Sequence, residues 1–331
     1  MPKQQQPQRR RPASQPPAQQ PRPIKRGVLA AVALGVLGVL AIIGVIAYMR
    51  PRPAQATLTR PNTARCGAFP AFAQRLGFST SAVMDTTDRI QPGLRIVEQA
   101  QGQPPKVYQA PDWAMAGYLG LPVIDNNGDI YVAPAPRVNL LLNPAERQNT
   151  IYKIDGATGA MQPFLAIPPA QPAHAENPYG ILGLALDCQS HALYVSTVAG
   201  STREQEYGQI LRIDIGAARV TSQIDAIDAF GVGVGREASA ARLYFARART
   251  AEIWSVALDA GGNFSGAPMR ELTYGRALND GDGRARKISF DAGIMNLTII
   301  PFTYTLAPLA AAQQTIRAAY DPQVAGWVVQ K

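Results

Sequence analysis

Few side chains in this 331-residue chain are suited to catalysis, and their spacing excludes most common chemistries. The only two histidines are His174 and His191, so a histidine-based metal site or a Ser-His-Asp triad has little material. His191 falls in the turn Gln189-Ser190-His191-Ala192 and reads as solvated, whereas His174, in the loop PPAQPAHAENPYG, is kept as a catalytic candidate. Asp125-Asn126-Asn127-Gly128-Asp129 and Asn279-Asp280-Gly281-Asp282-Gly283 look like calcium loops. Neither has the glutamate that closes an EF loop, and Asn-Gly between two strands is an ordinary hairpin turn. There is no GxGxxG, P-loop or CxxC motif. No catalytic residue, metal site or cofactor is therefore assigned, calcium being the one ion considered.

The remaining polar chemistry suits recognition. It collects in loops: Arg137, Asn139, Glu146, Arg147 and Gln148 in one, Arg203, Glu204 and Glu206 in a second, Arg247, Arg249 and Glu252 in a third, with His174, Glu176, Asn177 and Arg284 in connecting segments. The 134–149 loop is long and holds Val-Asn-Leu-Leu-Leu, an apolar run that could be a contact patch. A plainer reading stays open, in which Arg–Glu pairs such as Arg203–Glu204 only satisfy neighbouring loops.

These loops must be held by an internal repeat. Residues 129–159, 192–220 and 242–266 each read as strand, polar loop, strand ending in Asp, then a Gly-bearing turn. Tyr131, Tyr194 and Tyr244 open corresponding strands, and Asp155, Asp214 and Asp259 close their partners. A further strand precedes each unit (117–125, 180–187, 230–235) and another follows it (161–167, 220–227, 269–274). Four strands per repeat is the unit of a β-propeller blade. Weaker copies on both flanks suggest about six blades, within a range of five to seven, with the terminal strands completing a shared blade. The fold class is thus all-β, a β-propeller over 66–331. CGAFPAFAQRLGF (66–78) reads as one short helix, and Trp113, Trp254 and Trp327 as packing residues.

With LGLALD, ALYVS and QILRIDI in hand, residues 117–290 resemble the NHL and SMP-30/gluconolactonase-like propellers. The resemblance implies a propeller and, in some members, a calcium-dependent lactonase whose Glu, Asn and Asp ligands stand just before the Gly that opens the innermost strands. The matching positions here are Ala116 or Leu119, Tyr179 and Phe230, none of which has a carboxylate or amide oxygen. The reading is therefore a binding or assembly module, the alternative being a metal-dependent hydrolase of that family.

Ahead of the repeats, Gly27 to Met49 runs 23 residues with no charged, Asn, Gln or Pro residue, long enough for a bilayer span. Of the 32 basic residues eight lie in the first 50, leaving 24 against all 23 acidic ones, so the net +9 makes no case for nucleic-acid binding. The Pro/Gln/Arg-rich tail 1–26 is expected to be disordered and cytoplasmic, 27–49 to be a transmembrane signal anchor, 50–65 a linker, and the propeller extracytoplasmic, periplasmic or extracellular. A signal cleaved after Ala56 is the rival. Cys66 and Cys188 both follow the span, which makes them a candidate disulfide on the oxidising side; two unrelated buried thiols are the other reading. The expected partners are the membrane, through 27–49, and a protein or small-molecule ligand on the loop face.

Overall fold

The computed structural model describes residues 57–63, 66–88, 90–135, 140–172, 176–279, 281–304 and 313–330. The tail, the 27–49 span and any cleavage after Ala56 lie outside them. Among the described residues no helix is long and apolar enough to cross a membrane.

The chain builds five antiparallel sheets in sequence order, a five-bladed β-propeller. A two-residue strand, β1 (Asn62–Thr63), and a helix, α1 (Ala71–Arg75), come first. Blade 1 is β2 (Val83–Asp85), β3 (Arg95–Glu98) and β4 (Lys106–Tyr108). Blade 2 is β5 (Val123–Ile124), β6 (Ile130–Val132), β7 (Thr150–Ile154) and β8 (Met161–Ala166). Blade 3 is β9 (Ile181–Asp187), β10 (Ala192–Thr197), β11 (Gln209–Asp214) and β12 (Arg219–Asp225). Blade 4 is β13 (Ala229–Glu237), β14 (Ala240–Arg247), β15 (Glu252–Leu258) and β16 (Phe264–Thr273). Blade 5 is β17 (Gly283–Asp291), β18 (Ile294–Pro301), β19 (Gln314–Asp321) and β20 (Gly326–Val329). The Tyr and Asp positions of the repeat fall in blades 2, 3 and 4.

The count is five, within the expected range of five to seven and one below its central value, and no blade is shared between the two ends of the chain. Blade 5 takes all four strands from 283–329, and β1 pairs with β13 of blade 4. Burial explains why. In blades 2 to 4 the second strand is buried along nearly its whole length, because each blade is packed on both faces. In blade 5, β18 alternates: Met295, Leu297 and Ile299 are buried against blade 4, while Ile294, Asn296 and Thr298 are only half-buried. Apolar clusters join blade 1 to 2, 2 to 3, 3 to 4 and 4 to 5. Among the described residues no buried apolar cluster joins blade 5 to blade 1.

The inner strands of blades 3 to 5 meet backbone to backbone. A Cβ on Gly231 would sit 2.5 Å from the carbonyl oxygens of Ala285 and Arg286, and one on Gly233 2.4 Å from that of Ile288. Glycine is required there because any side chain would push β13 off β17.

One face carries the short hairpin turns within blades and is crossed by the N-terminal segment. Thr59 and Arg60 donate backbone N–H bonds to Glu237, Leu58 joins the core between blades 4 and 5, and Thr63 bonds Phe290. Cys66 and Cys188 form a disulfide with Cα atoms 5.6 Å apart, which fastens the segment to the first turn of blade 3. Ala68 then bonds Asp125 of blade 2, and Phe72 packs edge-on against Trp113 between blades 1 and 2. The described part of the expected linker, 57–63, is therefore docked on the propeller, since its backbone donors find acceptors there. Only Ala71–Arg75 of the expected 66–78 helix is helical, with Pro70 just ahead of it and Gly77 just after.

Candidate functional site

Successive antiparallel strands put the loops between second and third strands, together with the between-blade crossovers, on the face opposite the hairpin turns. Two structures occupy this loop face.

The first is a cavity of about 450 Å³ between blades 2 and 3. Its wall combines Leu140, Ala145, Ala166, Ile167, Pro169, Pro178 and Ala199 with the polar Glu146, Gln148, Asn149, Thr150, Asn177 and Tyr179. Asn177 shapes it: the buried amide donates to the carbonyls of Val198 and Ser201 at 2.7 and 3.0 Å and accepts from the Tyr179 N–H at 3.1 Å. Asn143 braces the opposite wall, bonding both the N–H and the C=O of Tyr118. Burial pushes the Tyr179 phenol up to about 12, so it is a neutral hydroxyl at physiological pH. Leu140, in the cavity wall, begins an exposed run of three leucines, Leu141 to 89%, and Met115 is exposed to 68%. The three leucines belong to the apolar run that the sequence singled out.

The second is a polar knot between blades 3 and 4. Asp228 is fully buried, and its Oδ1 accepts from Ser201 Oγ at 2.5 Å and the Gly208 N–H at 2.9 Å. Its Oδ2 accepts from Arg249 and from the Tyr304 hydroxyl, the latter at 2.6 Å. Burial and the Asp228 charge together push the Tyr304 phenol up, so it stays a donor. Arg249 also donates to the carbonyls of Thr202, Arg203 and Gln205, lies over the Tyr304 ring at 5.1 Å and meets Glu206 at 3.3 Å. Arg247 reaches Glu206 at 2.6 Å, and Arg284 bonds the carbonyls of Ala248 and Arg249.

The residues singled out from sequence therefore separate. Glu146 and Asn177 line the cavity, and Arg147 lies nearby, donating to the Met115 carbonyl at 3.0 Å. Glu206, Arg247 and Arg249 are held in the knot, while Arg203 contributes its carbonyl. Glu204 bonds Thr202 through its backbone. Glu176 is exposed in the crossover between blades 2 and 3. Arg137, Asn139 and His174 lie outside the described residues. Asp228, the centre of the knot, was missed by sequence reasoning. The signal available was a lone carboxylate wedged between apolar strands in Ile227-Asp228-Ala229-Phe230.

At the positions the resemblance would give to metal ligands, Tyr179 and Phe230 instead pack around Phe302, with ring centroids 5.3 and 4.5 Å away. Asp125 and Asp129 cap a turn, accepting from the N–H groups of Asn127 and Gly156, and Asp129 pairs with Lys153. Among the described residues no group of three or more His, Cys, Asp or Glu side chains could hold a metal ion.

No protein-family model matches the chain, and no curated protein matches it. Solved structures do. The Bacteroides ovatus xyloglucan PUL GH43B is 9% identical over 65% of this chain, with a TM-score of 0.42, and the chain spans only 41% of that protein. The PQQ-bound aldose sugar dehydrogenase of Streptomyces coelicolor is 12% identical over 78% of this chain and 81% of its own, with a TM-score of 0.40. An exo-β-1,3-galactanase of Phanerochaete chrysosporium is 9% identical over 82% of this chain and 67% of its own, with a TM-score of 0.44. Likeness this distant carries no functional argument.

Proposed function

We propose that this protein is a membrane-anchored, extracytoplasmic β-propeller that works as a binding or assembly module, its partner meeting the loop face at the cavity between blades 2 and 3. The observation that carries this reading is the juxtaposition of a 450 Å³ cavity with the exposed Leu140–Leu142 run that begins in its wall. An apolar run beside a concave site with a few fixed amides and hydroxyls is how ligand and partner sites are built. The 23-residue apolar run and the basic tail ahead of it supply the anchor and its orientation.

Two experiments test the two halves. Proteins or small molecules retained by the detergent-solubilised wild type should be lost from Leu140→Asp/Leu141→Asp, with thermal stability little changed because Leu141 is 89% and Leu140 44% exposed. Unchanged retention by that variant sends the binding site elsewhere. For topology, a Ser14→Cys variant should resist a membrane-impermeant thiol reagent in intact cells; labelling there overturns the anchor orientation.

A further inference from the structure

The buried amides in the wall of the loop-face cavity are bonded to the chain itself. Asn177 gives both its N–H donors to the carbonyls of Val198 and Ser201, and its oxygen takes the Tyr179 N–H. Gln148 donates to the Asn143 carbonyl at 2.5 Å, and its oxygen is enclosed away from solvent. The Asn149 oxygen accepts the Thr197 hydroxyl at 2.9 Å. The main chain beside them is engaged as well: the Gln148 carbonyl takes the Ile181 N–H at 3.0 Å, the Asn149 carbonyl takes that of Ile167 at 2.9 Å, and Thr150 pairs with Ala166 across β7 and β8. The surface that this wall turns to the cavity is therefore mainly carbon, from these side chains together with Leu140, Ile167, Pro169 and Ala199. Leu140 continues it outward into the exposed Leu141 and Leu142.

Such a wall favours a ligand that asks for few hydrogen bonds. A sugar brings a hydroxyl on almost every carbon, and a peptide brings an N–H and a C=O on every residue. Each of these groups is penalised when it leaves water and meets carbon. A hydrocarbon chain has none of them, and every methylene it buries strengthens binding about fourfold. We infer that the cavity holds one acyl chain of a membrane lipid. This rests on reading the cavity as the binding site of a membrane-anchored propeller, which keeps it among such lipids. The Tyr179 hydroxyl, the phenol in the wall, is the donor for the ester carbonyl at the end of the chain.

The test uses the full-length protein in lipid nanodiscs. The probe is a phospholipid with a diazirine in one acyl chain, and its cross-links are mapped by peptide mass spectrometry after irradiation. Adducts are expected within 145–150, 166–169 or 177–179, besides those in the 27–49 run. Ala166→Trp places an indole in the cavity from an exposed position of β8. It should reduce the cavity adducts at least tenfold and leave those in 27–49 unchanged. Ala145→Trp, exposed in the loop between β6 and β7, fills the same cavity from another element and replaces the first variant should that one fold poorly. Diazirine-tagged maltose and a diazirine-tagged pentapeptide should leave the cavity unlabelled. Lack of lipid adducts there, adducts that persist in a well-folded filled variant, or labelling by the sugar or peptide instead of the lipid overturns the acyl-chain assignment. The cavity itself would still stand as a binding site provided Leu140→Asp/Leu141→Asp releases what the wild type retains, so the two failures are told apart.

Discussion

Arg249 gives both Nε and Nη2 to a single oxygen of Asp228, at 3.1 and 2.9 Å, and through that one pair three loops of blades 3 and 4 are held in register. Asp228 sits in the crossover before β13, Arg249 follows β14, and the carbonyls that complete the guanidinium shell belong to the loop after β10. Removing one partner leaves a fully buried charge without its counterpart. Arg249→Met is expected to destabilise by roughly 3–5 kcal/mol, which for a domain of this size lowers Tm by about 10 °C. Thermal melts of the variant check this. A shift under a degree would mean the loops are held by something else, and Arg249 would return to the residues available for a partner.

A second buried acid gives a pH signature. Asp187, at the first turn of blade 3, is fully buried, which works against its charge. Bonds from Arg236, including Nε at 3.0 Å, and from Ser190 and the Gln189 N–H outweigh burial and hold the carboxyl below its ordinary value of 3.8. A group depressed in the folded state contributes its stabilisation in full above the unfolded value and loses it as pH falls through the folded one. Stability should therefore fall across the acid range below about pH 4. Asp187→Asn should flatten that limb, at the cost of lower stability at neutral pH. An unchanged acid limb in denaturant titrations would remove Asp187 from the account.

The segment that laces the hairpin face predicts a redox effect. The Cys66–Cys188 link spans 122 residues, so its loss frees a long loop in the unfolded chain and lets the segment lift from blade 3. Cys66→Ser/Cys188→Ser should cost roughly 2–4 kcal/mol. A non-reducing peptide map should show both cysteines in one linked pair. Two free alkylated thiols in that map would refute the link.

What the sequence revealed follows burial. Blades 2 to 4 were legible because packing on both faces buries second strands such as ALYVST throughout and makes them largely apolar, and each third strand ends at a turn-forming Asp. Blade 5 reads as weaker because Ile294–Pro301 has one half-polar face, and blade 1 because it lacks a strand; counting such faint copies gave six. The lacing by 57–63 and 66–72 was legible only at its Cys66–Cys188 link, which the two cysteines suggested. The rest is held by backbone bonds to Glu237 and Asp125 and by isolated apolar contacts at Leu58 and Phe72, none of which leaves a period. Of the candidate site, the Leu140–Leu142 patch was visible as an apolar run in a long loop. The knot was half visible, since Arg249 and Glu206 are in charged loops while Asp228 sits in a short crossover without a motif.

The tight inner strands give the most discriminating substitution. Gly231 faces two carbonyl oxygens of β17, that of Ala285, which is paired with Ile299 of β18, and that of Arg286, at the irregularity just after it. Gly231→Ala therefore forces β13 and β17 apart, and the strain reaches the adjacent Phe230–Phe302 stack at the loop face. Overpacking of this kind costs roughly 1–3 kcal/mol. Gly281→Ala is the matched control, because a Cβ there meets nothing within 4 Å. Thermal melts should show Gly231→Ala several degrees below wild type and Gly281→Ala indistinguishable from it. Equal melting of the two variants would mean that β13 and β17 do not touch, and that an open channel separates blades 4 and 5 at the axis.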